Sequence, residues 1–249
     1  MKILAIIPAR YASTRFPGKP LALIGGVTMI ERVYARSSEV FESVYVATDD
    51  KRIYDSVTKS GGNAVMTSVE HPNGTSRVLE AMYIIEKVTG EICDVVVNIQ
   101  GDEPFIEPLQ LKELISCFDN PGTMIATLAK KIDDKEELFN PNTPKVVFGT
   151  DGNALYFSRS PIPFIRDVPP EEWIRKFDFF KHIGLYGYTR EALIKINKLN
   201  QGSLEKAESL EQLRWLENGI KIVVQKTVHS SYSVDIPDDI EFLKAKGLM

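Results

Sequence analysis

The sequence predicts an α/β protein built on a Rossmann-like, doubly wound, mostly parallel sheet. Short β-branched runs alternate with amphipathic stretches at a spacing that suits strand–helix–strand units. One of these runs, Asp94-Val95-Val96-Val97-Asn98-Ile99, is almost uninterrupted, as expected of a parallel strand buried on both faces. The length, 249 residues with 43% hydrophobic, suits one large α/β domain carrying a modest insertion.

The elements follow in order. The apolar run Lys2 to Ile7 reads as a buried strand that empties into a loop carrying Arg10, Arg15 and Lys19. Thr28-Met29-Ile30-Glu31 matches a capping box and opens a helix to about Ser38. Ser43 to Ala47 is a strand, Lys51 to Ser60 a helix stopped by Gly61-Gly62, and Ala64 to Met66 a short strand. A polar loop, His71 to Arg77, leads into a helix with an apolar stripe at Val78, Met82, Ile85 and Val88. Further strands are expected at Met124–Leu128, Lys181–Tyr188 and Lys221–Gln225. Lys145–Phe148 and Ala154–Ser158 flank the turn Thr150-Asp151-Gly152-Asn153 and read as a hairpin. Pro161 to Arg175 is irregular and Pro-rich; Ser203 to Asn218 is one long helix closed by Gly219, and a last helix follows Pro237. The chain is thus expected to be a single domain over residues 1–249, with a hairpin-containing insertion at about 140–190.

Composition removes several function classes. A net charge of -4 argues against a general nucleic-acid binder, and no run reaches the ~18 apolar residues that span a bilayer. The N-terminal apolar run is too short for a signal peptide, and two cysteines without metal-ligand spacing suit buried thiols in a reducing cytoplasm. Neither a Gly-rich dinucleotide fingerprint nor a Walker-type Gly-Lys-Ser/Thr is present, which disfavours nicotinamide enzymes and P-loop ATPases.

What remains is chemistry for a polyphosphate. Ligands of open α/β sheets bind past the carboxyl ends of the strands, where Arg10, Arg15 and Lys19 would be gathered. Forked Arg donors and a point-charge Lys suit different oxygens of one polyphosphate. Asn98-Ile99-Gln100-Gly101-Asp102-Glu103-Pro104 sets Asp102 at a strand tip, as a magnesium ligand or as a turn residue bonding its own backbone. Asp235 precedes a helix start and is either its cap or a second magnesium ligand. Glu208, Glu211, Gln212 and Trp215 share one face of the expected long helix, either solvated or lining a pocket for a hydroxylated acid. The two-residue period places His182 and Tyr186 on one side of a strand, in the core or facing a sugar.

The motifs IPARYASTRFPGKPL, VATDD, NGTSR, NIQGDEP, NPNTPKVV, ALYFSRSPIP, HIGLYGY, ESLEQLRWLENG and VDIPDD follow one another here. In this order they resemble the 3-deoxy-manno-octulosonate cytidylyltransferases, across residues 3 to about 240. The resemblance implies a nucleotidyltransferase-type fold with a dimerisation hairpin between Asn140 and Pro163. It implies an enzyme that joins CTP to the eight-carbon acid Kdo, releases pyrophosphate and supplies CMP-Kdo for lipopolysaccharide, as a cytoplasmic, magnesium-dependent homodimer. By the same resemblance Arg10, Arg15 and Lys19 hold the CTP phosphates and, with Asp102, form the catalytic set. Gly74, Thr75 and Arg77 lie near cytosine and ribose, and the backbone at Pro8 and Ala9 reads the base. Gln100 stands with the nucleotide and the sugar; Arg159, His182, Tyr186, Glu211 and Gln212 contact the Kdo carboxylate and hydroxyls. Asp102 and Asp235 bind magnesium. Phe16, Pro144 and Ile236 depart from the usual pattern. Sialic acid or 8-amino-Kdo as substrate, or a non-catalytic nucleotide sensor on this scaffold, are the alternatives.

Overall fold

The computed structural model describes residues 1–12, 16–230, 232–245 and 247. Its contacts divide the chain into two compact units, residues 1–112 with 230–249, and residues 113–229. The expected insertion at about 140–190 falls inside the second.

The first unit opens with β1 (Ile3–Ala9), the small β2 (Leu23–Ile24) and β3 (Val27–Thr28) ribbon, and α1 (Met29–Ser38). β4 (Val44–Thr48), α2 (Lys51–Lys59), β5 (Ala64–Met66), α3 (Gly74–Thr89) and β6 (Val95–Asn98) follow, and α4 (Pro108–Ser116) leads onward. The strands lie in the order β6-β1-β4-β5, and every neighbouring pair is parallel. From β1 the chain steps outward to β4 and β5, then returns to β6 on the other side of β1. Such a reversal opens a crevice beyond the carboxyl ends of β1 and β6.

Local signals explain the helices. The capping box forms, with Thr28 Oγ1 accepting from Glu31 N and Glu31 Oε2 accepting from Thr28 N. Asn73 Oδ1 caps α3 by accepting from Ser76 N at 2.9 Å, so this helix begins at Gly74, inside the segment read as a loop. Val78, Met82 and Ile85 are buried as expected, while Val88, in the last turn, is exposed.

The second unit holds β7 (Ile125–Lys131), α5 (Lys135–Phe139), β8 (Lys145–Phe148), β9 (Ala154–Ser158), α6 (Trp173–Lys176) and β10 (Phe180–Thr189). α7 (Arg190–Ile196), α8 (Ser203–Glu208), α9 (Gln212–Glu217) and β11 (Val223–Thr227) complete it. β11 lies parallel to β7, β7 antiparallel to β10, and β8 antiparallel to both β10 and β9. The β8–β9 hairpin is present, turned through Gly149 to Asn153 with Gly152 at φ 75°. The chain then re-enters the first unit and ends in α10 (Pro237–Ala245).

One expectation is corrected. The long helix over 203–218 is two short ones, because Ser209 adopts φ 51° and breaks it. The Arg159 side chain takes the Glu208 carbonyl at 2.6 Å, an acceptor that a continuing helix would use itself. Within the Pro-rich segment, Trp173 is buried against Ile132, Leu138 and Phe179, so this stretch carries an anchor of its own. Cys93 is buried, Cys117 half-buried, and both are free thiols. No helix among the described residues is long and apolar enough to cross a membrane.

Candidate active site

The crevice at the β1/β6 reversal is a cleft of about 280 Å³. Pro8, Ala9 and Arg10 reach it from the end of β1, and Gln100, Gly101 and Asp102 from the turn after β6. Gly101 is required here for space: a Cβ on it would lie 2.9 Å from the Pro8 carbonyl oxygen. The two strand ends can therefore approach only over a residue without a side chain. Asn73 and Gly74 bring the amino end of α3 to the same cleft, an end whose free N–H groups and dipole favour anions.

Asp102 and Asp235, far apart in sequence, meet there. Val234 N donates to Asp102 O at 2.9 Å, which ties the segment before α10 to the β6 turn. Asp239 Oδ2 accepts from the backbone N–H groups of Asp235 and Ile236 at 2.7 and 2.9 Å. Asp239 thus takes up two N–H groups at the helix start, and Asp235 lines the cleft beside Asp102. Lys19 Nζ donates to Asp102 Oδ2 at 2.7 Å and to Asp235 Oδ1 at 3.3 Å, with only 13% of its side chain exposed. One ammonium bridges two carboxylates.

Arg77 lines the cleft but is itself buried, its guanidinium donating to Asp49 Oδ2 and Thr67 Oγ1, both at 2.7 Å. Asp49, in the VATDD motif, is a partner that the sequence reading left unassigned; a buried Arg in an amphipathic helix calls for such a carboxylate. His71 also lines the cleft and was not foreseen. Its Nε2 lies 2.5 Å from Glu80 Oε2, which also accepts from Ser68 N. Burial opposes ionisation of Glu80, but these partners together hold its carboxyl below the ordinary value.

A second polar cluster lies within the residue 113–229 unit. Tyr186 and Tyr188 stack, with ring centroids 5.8 Å apart, and Trp215 meets both edge-on. His182 sits 5.3 Å from the Tyr186 ring, and its Nε2 lies 3.0 Å from Thr127 Oγ1. The residue as a whole is half-buried, and desolvation of its ring by the surrounding protein holds the imidazole well below its usual pKa, hence neutral at pH 7. Tyr186 Oη, Gln212 Nε2 and Trp215 Nε1 are buried with no hydrogen-bond partner among the described residues.

A cytidylyltransferase family model matches residues 4–222. The 3-deoxy-manno-octulosonate cytidylyltransferase of Bacteroides thetaiotaomicron is 53% identical, over 99% of this chain and 100% of its own length. That of Porphyromonas gingivalis is 49% identical, over 99% of this chain and 98% of its own. The chain belongs to the 3-deoxy-manno-octulosonate cytidylyltransferase family. A solved CMP:2-keto-3-deoxy-manno-octonic acid synthetase complexed with CTP is 40% identical, with a TM-score of 0.90 over 100% of this chain and 99% of that one. A 4-diphosphocytidyl-2C-methyl-D-erythritol synthase from Anaerococcus prevotii, 14% identical with a TM-score of 0.62, shares the fold alone.

Set against the positions that the family resemblance implied, the cleft gathers Pro8, Ala9, Arg10, Lys19, Gly74, Arg77, Gln100, Asp102 and Asp235. Thr75 is buried in α3 and does not line it. Arg15 lies outside the described residues. His182, Tyr186, Glu211 and Gln212 belong to the second unit. Glu208 does not share a helix face with Glu211, Gln212 and Trp215, because the break at Ser209 separates them; its carboxylate binds Ser158 Oγ and Arg159 N. The Arg159 guanidinium is spent on the carbonyls of Pro141, Glu208 and Ser209.

Proposed function

We propose that this chain, like the relatives named for it, transfers CMP from CTP to the anomeric hydroxyl of Kdo and releases pyrophosphate. The observation that carries the reading is the Lys19 ammonium held between Asp102 and Asp235, in a cleft also lined by Arg10 and the amino end of α3. The anomeric oxygen forms a bond to the α-phosphorus of CTP as the bond to the β-phosphate bridging oxygen breaks. Pyrophosphate carries away the electron pair, and the hydroxyl proton passes to solvent.

Such chemistry asks the protein for positioning and charge stabilisation, and offers little work to a side-chain nucleophile. Arg10, Lys19 and Arg15 hold the triphosphate, and charge that builds on it in the transition state is met by their donors. The backbone at Pro8 and Ala9, with Gly74 and the fixed Arg77, orients cytidine; Thr75 supports them from within α3. Asp102 and Asp235 suit magnesium, which accepts one or two carboxylates and completes its shell with phosphates and water. Bound there, the metal would neutralise phosphate charge and lower the pKa of the attacking hydroxyl.

Within the second unit His182, Tyr186, Glu211 and Gln212 take the sugar acid, and Arg159 its carboxylate once it gives up a carbonyl; Gln100 serves from the cleft of the first unit. His182, being neutral, acts as a hydrogen-bond group and not as a charge. We read residues 1–249 as one nucleotidyltransferase domain that works in the cytoplasm and pairs with a second copy through the β8–β9 hairpin, where Leu155 is 66% exposed.

The test is a pyrophosphate-release assay crossing four nucleoside triphosphates with Kdo, 8-amino-Kdo and sialic acid. CTP with Kdo should be the fastest pair by at least tenfold. Preference for another acid would reassign the substrate, and CTP binding without release from any acid would make the chain a nucleotide sensor.

A further inference from the structure

The Lys19 ammonium occupies the place between two carboxylates that a divalent cation would take. We propose that Lys19 is a resident counter-ion that keeps the metal out of this site until a nucleotide triphosphate arrives. The inference rests on the reading of Asp102 and Asp235 as metal ligands, and adds an order of binding to it.

The argument is electrostatic. Two carboxylates turned into one cleft repel each other, and a cation between them relieves that repulsion. Lys19 does so at 2.7 and 3.3 Å, with its side chain nearly enclosed. Magnesium bonds carboxylate oxygen at about 2.0–2.1 Å. On these same oxygens it would lie against the ammonium, and the mutual repulsion of the two cations would cancel much of its attraction to the aspartates. Metal and ammonium therefore compete. The incoming triphosphate resolves the contest by offering Lys19 other oxygens, while it brings ligands of its own for the metal.

The local structure permits such a move. The backbone of Lys19 is fixed in the short 3-10 turn Lys19–Leu21, entered through Gly18 at φ 74°. Only the flexible four-carbon stem has to swing, and it ends in a point charge without the fixed geometry of a guanidinium. The consequence is that metal binds weakly to the free protein and tightly together with nucleotide.

Mn²⁺ serves as the probe, titrated into nucleotide-free protein and followed by the electron paramagnetic resonance of the free ion and by calorimetry. Lys19→Met should bind Mn²⁺ at least tenfold more tightly than the unsubstituted protein in the absence of nucleotide. Lys19→Arg, which keeps a cation, should not. A melting curve checks that each variant is folded, and Lys19→Gln replaces Lys19→Met if the latter is not. Adding CTP should tighten Mn²⁺ binding to the unsubstituted protein by far more than to Lys19→Met. Equal or weaker Mn²⁺ binding by folded Lys19→Met and Lys19→Gln overturns the counter-ion role. The underlying reading fails separately: Asp102→Asn and Asp235→Asn that bind Mn²⁺ with CTP as well as the unsubstituted protein would show the metal to lie elsewhere.

Discussion

The two polar clusters differ in how their polar groups are satisfied. In the cleft of the first unit the charges answer one another, Lys19 on Asp102 and Asp235, Arg77 on Asp49. In the second unit Tyr186 Oη, Gln212 Nε2 and Trp215 Nε1 are buried with no hydrogen-bond partner among the described residues. A ligand entering the first exchanges ion pairs that exist already, so it gains orientation and selectivity more than raw affinity. One reaching the second supplies missing hydrogen bonds, each relieving a cost of about 1–3 kcal/mol. The difference is what the proposed roles ask for, a charged nucleotide in one place and a hydroxylated acid in the other.

The largest effect should follow the loss of one charge from the first cluster. Asp102→Asn keeps the shape of the side chain and removes its charge, and should lower the turnover number by about 10³-fold. The melting temperature should stay within a few degrees, since the carboxylate is about one-third exposed. Turnover near that of the unsubstituted protein would take Asp102 out of the chemistry.

Asp49→Asn should act on stability instead. It removes the ion-pair partner of Arg77, whose side chain is only 5% exposed, at a cost of about 3 kcal/mol by chemical denaturation. The double variant Asp49→Leu with Arg77→Met should recover most of that stability and still bind CTP poorly. If the double variant is no more stable than Asp49→Asn, the cost is one of packing and not of stranded charge.

Gln212→Leu sharpens the contrast from the other side. It should raise the KM for the sugar acid about tenfold and leave the KM for CTP alone. The melting temperature should hold or rise, because a buried donor without a partner is gone. A lower melting temperature with both KM values unchanged would make Gln212 an ordinary core residue.

How far the sequence reached follows from which contacts are local. The buried strands β1 and β6, the capping box at Thr28 and the β8–β9 turn were legible because their signals lie within a few residues. The start of α3 was missed although Asn73 is a good cap, because Pro72-Asn73-Gly74 reads equally well as a turn. The break at Ser209 was not legible at all, since the Arg159 side chain that claims the Glu208 carbonyl comes from another part of the chain. Asp102 and Asp235 were each identifiable as candidate ligands. Their meeting goes with the Val234–Asp102 backbone bond and with Asp239 accepting the N–H groups of Asp235 and Ile236, neither of which spacing reveals.

The smallest effect tests whether the charged cleft extends its pairing to the loop that feeds it. Gly18 N donates to Tyr11 O at 3.0 Å and closes the loop whose flanks are Arg10 and Lys19. A Cβ on Gly18 would meet the Tyr11 ring at 3.0 Å, so the ring lies tight across the stem. On that ring rests the Arg52 guanidinium, 3.3 Å from its centroid and held by Asp50 through bonds of 2.7 and 2.9 Å. A cation on an aromatic face steadies the ring that braces the stem. Arg52→Ala should therefore raise the KM for CTP about threefold at unchanged turnover number, with Lys51→Ala on the same helix as the neutral control. An unchanged KM would mean that the loop holds its cations in place without help from α2, and that the pairing of charges ends at the walls of the cleft.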